Sequence, residues 1–366
     1  MRILFALPGL HRVDRGAEIA FISVASELAR RGDDVTLIGS GPPRPGREYR
    51  YIQAPAISRE RFERFPRMPL FRSETVWEEA TFLPGLMRMY DPAEYDVTAT
   101  CSYPFTNWAL RRSSKRHRPA HVFVTQNGDW PAIARGAEYR FFGCDGLACI
   151  NPDYFERNKD RFRSVLIPNG VDTSRFSPGP GDRQRFGLPP EGPIVLMVSA
   201  LIASKNVDKG IEAVAAVPDA TLVVAGDGPL RAEMERRAEE RIPGRYKRIS
   251  VPADAMPDLY RSADAVLHLS RDESFGNVYV EAMATGTPIV AYDSARTRWI
   301  LGDEAFLALP DANALVSELK RGLVDGGAAS SKLAERAKDF TWSKIAARYR
   351  SFFEEVIEAA SMRPAA

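Results

Sequence analysis

The sequence predicts an α/β protein of two doubly wound domains facing a central cleft, and three observations support this class. The chain has 366 residues, which is too long for one ordinary core and suits two domains of similar size. Both halves alternate short apolar runs with amphipathic runs, as repeated βα units do. A proline- and glycine-rich stretch at 177–193, "SPGPGDRQRFGLPPEGP", separates the halves as an interdomain connection does.

The first half is predicted to form a domain over residues 1–172. Its short apolar runs predict strands, and its amphipathic stretches at 17–31 and 76–89 predict helices between them. The predicted strands are, in chain order, "RILFAL", "DVTLIG", "DVTATC", "AHVFVT" and "GLACIN".

The second half repeats this alternation and is predicted to form a domain over 194–340, after a linker at 173–193. Its predicted strands are "PIVLMVS", "ATLVVAG", "RISV", "ADAVLHLS" and "PIVAY", with helices near 208–217 and 230–240. A further helix begins near Phe275 or Gly276 and ends at "TGTP". The remaining segment, 341–366, holds an amphipathic helix at 342–359 with no strand after it, so we expect it to pack back on the first domain.

The composition indicates a globular protein of a reducing compartment. The chain is 45% hydrophobic and 27% charged, which is typical of a globular protein rather than a disordered or fibrous one. Its net charge of +2 indicates no particular class of binding partner. Its three cysteines show neither disulfide nor zinc spacing, and its four histidines add no metal cluster. The first apolar run reads as a strand rather than a signal peptide, and no segment suits a membrane span. We therefore expect a cytoplasmic location, with contact at the inner face of the membrane left open.

Four polar or glycine-containing segments follow predicted strands, where ligands of doubly wound folds bind. These segments are "GLHRVDRGAE", "TQNGDW", "VSALIASK" and "SRDESFG". The last leads into a helix whose N-terminus exposes backbone N–H groups and favours an anion such as phosphate. Glu273 lies in the entry loop of that helix and Glu281 inside it, so the two carboxylates flank the expected anion site.

With "IPNGVDTSRFSP" at 167–178 and "AGDGPL" at 225–230, these motifs resemble the retaining GT-B glycosyltransferases of family 4 (group 1) over nearly the whole chain. The most specific element is a glutamate, seven residues and a second glutamate, met by Glu273 and Glu281. The resemblance implies a nucleoside-diphosphate sugar as donor, held by Gly16, Arg15, Ser199, Lys205, Val251, Ser274, Phe275, Gly276, Asn277, Val278 and Glu281. Glu281 would take the ribose hydroxyls, Glu273 the donor sugar, and Lys205 the charge on the departing diphosphate.

The chain departs from the family pattern at three positions. Ala200 stands where an arginine is usual, which leaves Arg15, Arg12 and Arg271 as candidates for the second positive charge, and we favour Arg15 because it precedes Gly16. Arg15 itself replaces the first glycine of a doublet. After the fourth predicted strand the family often carries a histidine that touches the donor sugar, and "VTQNGDW" offers Asn127 instead.

The resemblance implies hexosyl transfer to an acceptor hydroxyl with retained anomeric configuration, from a UDP-sugar in preference to a GDP-sugar. Glu273, Lys205 and Asn127 are the predicted catalytic residues, acting by positioning and charge stabilisation in a front-face attack in which the leaving phosphate takes the proton. Neither a cofactor nor a metal is expected. Two alternatives stay open: a catalytically silent nucleotide-sugar-binding protein, and another GT-B reaction such as sugar-nucleotide epimerisation.

The sequence indicates less about the acceptor, which is expected to be a carbohydrate, a lipid-linked molecule or a small molecule. His11 and Asp129 are the candidate acceptor contacts. Residues 59–72, "RERFERFPRMPLFR", hold five arginines, two glutamates and three phenylalanines, which suits a solvated loop, an anionic acceptor or a membrane surface. The basic run "RRSSKRHR" at 111–118 follows a predicted helix, where cations complement the dipole, and no nucleic-acid partner is expected. The oligomeric state stays open.

Overall fold

The structure, a computed structural model, describes residues 1–69, 71–114, 117–130, 142–271 and 273–362. The chain divides into two units, one formed by Met1–Asn169 with the segment from Trp342 onward, the other by Gly170–Thr341. Each unit contains its own parallel sheet, which confirms two Rossmann-like domains. The boundaries at 172, 193 and 340 stay predictions. Residues 115 and 116 of the basic run and residue 272 of "SRDESFG" lie outside the described residues.

The first unit is built on seven parallel strands. They are β1 (Arg2–Ala6), β2 (Asp34–Gly39), β3 (Arg50–Gln53), β4 (Val97–Thr100), β5 (Ala120–Val124), β6 (Gly146–Cys149) and β7 (Ser164–Leu166). They lie in the order β3-β2-β1-β4-β5-β6-β7. The helices between them are α1 (Gly16–Arg30), α2 (Glu74–Met89), α3 (Phe105–Leu110) and α4 (Pro152–Asn158). The central strands are buried along almost their whole length, as expected for a parallel sheet covered on both faces.

The second unit repeats the design with six parallel strands. They are β8 (Ile194–Val198), β9 (Thr221–Ala225), β10 (Tyr246–Ile249), β11 (Ala265–His268), β12 (Ile289–Tyr292) and β13 (Phe306–Ala308). They lie in the order β10-β9-β8-β11-β12-β13. The helices are α5 (Val207–Ala215), α6 (Arg231–Arg241), α7 (Met256–Arg261), α8 (Asn277–Thr285), α9 (Ala295–Leu301) and α10 (Ala312–Ala337).

In both sheets the chain starts in the middle, winds to one edge, and then returns to wind to the other. The neighbours β1 and β4 mark this reversal in the first sheet, and β8 and β11 mark it in the second. The loops that leave two such strands diverge to opposite faces and open a crevice at the carboxyl edge of the sheet. The residues that follow β8 and β11 therefore line the crevice of the second sheet, where a ligand is expected to bind.

The last helix, α11 (Trp342–Ser361), packs on the first sheet beside α1. The Phe353 ring lies 6.0 Å from the Phe5 ring of β1, measured between centroids. Gly146 of β6 allows close contact, since a Cβ there would lie 2.5 Å from Cγ2 of Val356. Neither this helix nor any other that the structure describes is long and apolar enough to cross a membrane.

Candidate active site

The candidate active site lies at the carboxyl edge of the second sheet, where β8 and β11 end side by side. The loop after β8 leads to Lys205, and the loop after β11 leads to Glu273. The Lys205 ammonium group contacts the Glu273 carboxylate directly, and both side chains are only partly exposed. Two of the three predicted catalytic residues, 68 positions apart in the sequence, therefore meet at the point where ligands of such sheets bind.

The loop after β8 is held against the loop after β11 by one asparagine. Asn206 follows the short turn Ala203–Lys205 and adopts a left-handed conformation, with φ of 52°, which asparagine tolerates better than most residues. Its side-chain amide donates to the carbonyl of Leu269 at 2.8 Å. Nζ of Lys205 lies 3.5 Å from the Ser270 hydroxyl. Lys205 is thus positioned by backbone geometry as well as by its carboxylate partner.

The glycines of "AGDGPL" shape the same loop from the side of β9. A Cβ on Gly226 would lie 2.0 Å from the carbonyl oxygen of Ser199, and one on Gly228 would lie 2.5 Å from that of Leu201. The Leu201 amide donates to the carbonyl of Asp227 at 3.0 Å. Two backbones can approach this closely only where no side chain intervenes. The motif therefore supports the loop that carries Lys205.

Glu273 is held as a carboxylate by the groups around it. Burial on its own raises its pKa, but the hydrogen bond from His268 and the contact with Lys205 outweigh burial and lower the pKa to about 2. Nε2 of His268 lies 3.2 Å from Oε1 of Glu273, the same oxygen that Lys205 contacts. The backbone carbonyl of Glu273 accepts from Arg296 of α9. The carboxylate is therefore charged, oriented and a very weak base at neutral pH.

His268 is a site residue that sequence reasoning missed. It ends β11, is only 3% exposed, and packs edge-on against the Tyr279 ring at 4.9 Å between centroids. This packing fixes the ring that hydrogen-bonds to Glu273. The available signal was a single polar residue inside the apolar run "AVLHLS", five positions before the glutamate.

The helix predicted to receive the anion is α8, and its first turn is built around Gly276. The helix begins at Asn277, one or two residues later than predicted, and Gly276 precedes it in a left-handed conformation with φ of 93°. Phe275 is 2% exposed and packs against Trp299 and Phe340, with centroids 6.4 and 6.3 Å away. Its side chain thus anchors the loop, and only its backbone can serve a ligand.

Gly276→Ala is expected to destabilise the second unit. The new Cβ would lie 2.7 Å from the Tyr279 ring, and the backbone conformation is one that a side chain disfavours, so we expect a loss of about 1–3 kcal/mol. Gly327→Ala is the matched control, because Gly327 lies within α10 and a Cβ there would meet nothing within 4 Å. Thermal denaturation of both variants tests this: equal midpoints would contradict the role assigned to Gly276.

Glu281 lies one turn further along α8 in a partly exposed position. Burial raises its pKa to about 7, although a hydrogen bond from Tyr260 opposes the rise. The Tyr260 hydroxyl donates to Oε2 of Glu281 at 2.7 Å, and the Tyr260 ring is fully buried against Phe176. Tyr260 therefore fixes one carboxylate oxygen of Glu281. Sequence reasoning did not identify this tyrosine.

The other residues predicted to bind the donor in this unit lie on nearby loops. Ser199 follows β8, Val251 follows β10 and Ser274 follows Glu273, and all three are partly exposed. Their roles toward a donor stay predictions. Within the described ranges no three histidine, cysteine or carboxylate side chains are grouped to hold a metal ion, and the expectation that no metal is needed stays a prediction.

The arginines considered in place of Ala200 each have a protein partner. Arg15 pairs with Glu60, Arg12 pairs with Glu78, and Arg271 lies over the Tyr292 ring at 5.1 Å. Arg296, which sequence reasoning did not consider, is the arginine that reaches the backbone of Glu273. The preference for Arg15 as the second positive charge beside Lys205 stays a prediction.

The candidates in the first unit lie at the carboxyl edge of its sheet. Gly16 begins α1 and is exposed, and Asn127 follows β5, is exposed, and donates to Sγ of Cys101 at 3.4 Å. The His11 ring is buried, stacked on Tyr51, with its nitrogens 3.2 Å from the Pro42 carbonyl oxygen and 2.7 Å from the Tyr49 hydroxyl.

Asp129 is buried as well, and the protein engages both of its carboxylate oxygens. Nε of Arg157 lies 2.7 Å from Oδ2, and the Asn158 amide donates to Oδ1 at 2.7 Å. The acceptor roles of His11 and Asp129 stay predictions, and their present contacts give both residues a structural task.

Comparison with protein-family models gives one match in each half of the chain. The family described as "Glycosyl transferases group 1" matches residues 180–340, and "Glycosyltransferase Family 4" matches residues 15–175. The first match includes Lys205, Glu273 and Glu281, and the second includes Arg15, Gly16 and Asn127.

Two curated relatives illustrate the similarity. The lipopolysaccharide core biosynthesis glycosyltransferase LpsE of Rhizobium meliloti is 28% identical over 336 residues, 89% of this chain and 90% of the relative. The GDP-mannose-dependent alpha-(1-6)-phosphatidylinositol dimannoside mannosyltransferase of Mycobacterium tuberculosis is 33% identical over 195 residues, 50% of each protein. The second match thus spans about half the length of that relative.

Two solved structures are similar along nearly the whole chain. Sucrose-phosphate synthase from Thermosynechococcus elongatus has a TM-score of 0.77 and 21% identity, with 98% of this chain and 99% of that chain covered. Anabaena Alr3699/HepE in complex with UDP and glucose has a TM-score of 0.72 and 20% identity, with 97% and 99% covered. At this identity the likeness shows the fold, which is the GT-B fold expected from the sequence.

Proposed function

Because the chain belongs to the group 1, family 4 glycosyltransferases, we propose that it transfers a sugar from a nucleoside-diphosphate sugar to an acceptor hydroxyl with retained configuration. One observation carries the proposal: Lys205 and Glu273 contact each other at the strand-order reversal of the second sheet, directly before the N-terminus of α8. A cation, an oriented carboxylate and a helix N-terminus in one place suit a pyrophosphate that carries a sugar.

The diphosphate would bind at the backbone N–H groups of Gly276, Asn277 and Val278. A helix N-terminus favours an anion because its amides point outward along the positive end of the helix dipole. Gly276 allows the backbone to come close to the ligand, since no side chain shields it. Lys205 would exchange part of its contact with Glu273 for a phosphate oxygen and stabilise the charge that develops there as the sugar leaves.

The two glutamates would orient the two ends of the donor. Within the described residues, the side-chain contacts of Glu273 fall on Oε1 and that of Glu281 falls on Oε2, so the other oxygen of each would be able to accept from a ligand. Glu281 would accept from the ribose hydroxyls and Glu273 from a hydroxyl of the donor sugar. The proposed roles of Ser199, Val251 and Ser274 are further contacts to this donor.

The low basicity of Glu273 supports a mechanism in which this residue positions rather than abstracts a proton. A carboxylate with a pKa of about 2 is a poor general base at neutral pH. The acceptor proton would therefore pass to the departing phosphate, and attack would come from the face that the leaving group vacates. Catalysis would rest on alignment and charge stabilisation, with Asn127 and Arg15 of the first unit as proposed further contacts.

We favour a UDP-sugar as donor and a carbohydrate or lipid-linked hydroxyl as acceptor. A structural neighbour was solved with UDP and glucose, and a whole-length relative is a lipopolysaccharide core glycosyltransferase. A GDP-sugar is the second choice, because one relative is GDP-mannose-dependent.

A thermal-shift screen of nucleoside diphosphates and nucleotide sugars tests the donor proposal. A ligand that binds only the folded state raises the midpoint, by a free energy of about 2.7 kcal/mol at a hundred times its dissociation constant. We expect UDP and a UDP-sugar to raise the midpoint of the wild-type protein and to do so much less in Lys205→Ala. Product analysis by NMR with the stabilising donor then shows transfer and its stereochemistry. If no nucleotide changes the midpoint, the proposal is wrong.

A further inference from the structure

A surface of the first unit combines arginines with exposed apolar side chains in a regular pattern. We call residues 61–68 the arginine-apolar segment. An arginine followed by a large apolar residue occurs three times here at intervals of three, as Arg61-Phe62, Arg64-Phe65 and Arg67-Met68. The longer stretch 59–72 contains five arginines and two glutamates, a net charge of +3, although the whole chain carries only +2. Positive charge is thus concentrated at this surface.

Aromatic side chains pack the segment against α2. The buried Phe62 ring stacks on Trp77 at 5.9 Å, and Phe65 packs edge-on against both rings at 5.0 and 5.4 Å. Phe71 lies 4.2 Å from Trp77, and Met68 pairs with Phe71 through two backbone hydrogen bonds of 3.2 and 3.0 Å. The segment therefore presents its outer side chains from a packed cluster.

The outer side chains remain exposed despite this packing. Phe65 is 47% exposed and Met68 is 42% exposed, which is unusual for two large apolar residues so close together. Arg61, Arg64 and Arg67 are exposed too, and within the described residues none of the three forms an ion pair. Arg59, by contrast, contacts Glu60.

The segment lies beside the carboxyl edge of the first sheet. Arg15, at the start of α1, pairs with Glu60, and Arg12, in the loop after β1, pairs with Glu78 of α2. Glu60 directly precedes the segment and Glu78 lies on α2, against which the segment packs, so both contacts hold the surroundings of the segment to the loop that follows β1. The exposed arginines and apolar tips thus neighbour the edge of the unit where ligands of such sheets bind.

We propose that the arginine-apolar segment docks the protein on an anionic lipid bilayer. The arginines match the negative surface of such a membrane, while Phe65 and Met68 have the size and apolarity to enter the boundary between headgroups and acyl chains. Either contribution alone binds weakly, and the two together give stable attachment. The half-exposed apolar tips favour a bilayer over a nucleic acid, which needs charge but offers no apolar interior. This inference does not rest on the proposed function.

Vesicle flotation with the full-length protein tests the proposal. The probes are phosphatidylcholine vesicles that contain phosphatidylglycerol, and vesicles of phosphatidylcholine alone. We expect binding to the first and little to the second, weakening as salt is raised. Two variants separate the electrostatic contribution from the apolar one. The triple variant combines Arg61→Gln, Arg64→Gln and Arg67→Gln. The double variant combines Phe65→Ser and Met68→Ser. The triple variant should lose binding on the order of a hundredfold, since each arginine contributes several-fold near the surface.

A charge-matched control replaces Arg231, Arg236 and Arg241 of α6 by glutamine. These three arginines are exposed on the second unit, so the variant loses the same net charge at another place and should bind vesicles as the wild type does. Thermal denaturation confirms that each variant is folded. The proposal is overturned if the wild-type protein does not bind anionic vesicles, or if the control variant loses as much vesicle binding as the triple variant. It is also overturned if the wild-type protein binds RNA but not vesicles.

Discussion

Lys205→Ala is expected to lower the kcat of sugar transfer by a factor on the order of a hundred to a thousand. The lysine is the cation that contacts Glu273 at the reversal of the second sheet, and in the proposed reaction it stabilises the negative charge that forms on the leaving phosphate. That charge is larger in the transition state than in the bound donor, so kcat should fall more than donor affinity. Steady-state kinetics with the donor found by thermal shift measures both.

Lys209→Ala is the matched control for this prediction. Lys209 lies on α5, four positions after Lys205, and is exposed, so its removal changes the net charge equally without touching Glu273. We expect its kcat to stay near that of the wild type. A Lys205→Ala enzyme that transfers sugar at the wild-type rate would exclude the charge-stabilising role.

The contact between Lys205 and Glu273 also predicts how their substitutions combine. Residues that act as a unit give effects that do not add, because the first substitution already removes the shared interaction. The double variant Lys205→Ala, Glu273→Gln should therefore be only slightly slower than the worse single variant. His268 would still hold the residue at 273 in place through its hydrogen bond.

Central strands were predictable from the sequence, whereas three of the four edge strands of the two described sheets, β3, β7 and β13, were not; the fourth, β10, was predicted two residues late as "RISV". Buried runs such as "TLVVA" in β9 show continuous apolar character because helices cover both faces of the sheet. The edge strand β3, "RYIQ", and the edge strand β7, "SVL", are half-exposed and short, so they carry no such run. Their pairing depends on the neighbouring strand, which a local pattern does not contain.

The long helix α10 was missed for a related reason. Its buried face relies on small residues: Gly322 approaches Val290, and a Cβ on Gly326 would lie 2.3 Å from Pro288. The buried positions of α10 do recur at helical spacing, but two of them are glycines, which lower helix propensity and contribute no apolar side chain to the stripe, so the pattern is easily overlooked. Tertiary contacts, more than local sequence preference, therefore stabilise α10.

At the candidate site, the loop residues were predictable and their supporting partners were not. Lys205, Glu273 and Glu281 follow from motifs with a chemical rationale. His268, Tyr260 and Arg296 contact those residues from a strand end and two other helices, so only the fold brings them together. A lone histidine in a strand or a tyrosine in a helix is normally a core residue, and the sequence offers no reason to select these.

Glu281→Gln is expected to weaken binding of the nucleotide sugar and to remove the pH dependence of that binding. Burial raises the pKa of Glu281 to about 7 in the free protein. Ribose hydroxyls donate to the ionised carboxylate, so donor binding favours the charged form and expels the proton. The wild-type Kd should therefore rise by up to about tenfold per pH unit below about pH 7, and the glutamine variant should show no such rise. Calorimetric titration with the nucleotide sugar at several pH values measures this.

The same pKa shift changes the stability of the free protein in the opposite sense. The folded-state pKa lies above the ordinary value of 4.5, so the native state binds more protons than the unfolded state between about pH 4.5 and about pH 7. The contribution of Glu281 to the free energy of unfolding thus falls as the pH rises through this window. At about pH 8, Glu281→Gln should stabilise the ligand-free protein by about 1–3 kcal/mol, because glutamine needs no charge in that position.

These opposite signs distinguish a ligand-binding carboxylate from a structural one. If Glu281 only supported the fold through Tyr260, its replacement would destabilise the free protein and leave donor affinity almost unchanged. If it serves the ribose, the free protein gains stability while the complex loses it, as expected where a fold retains an unfavourable group for function. Glu233→Gln on the exposed face of α6 should change neither quantity. A wild-type Kd that stays flat across this pH range, matched by Glu281→Gln, would remove the ribose role.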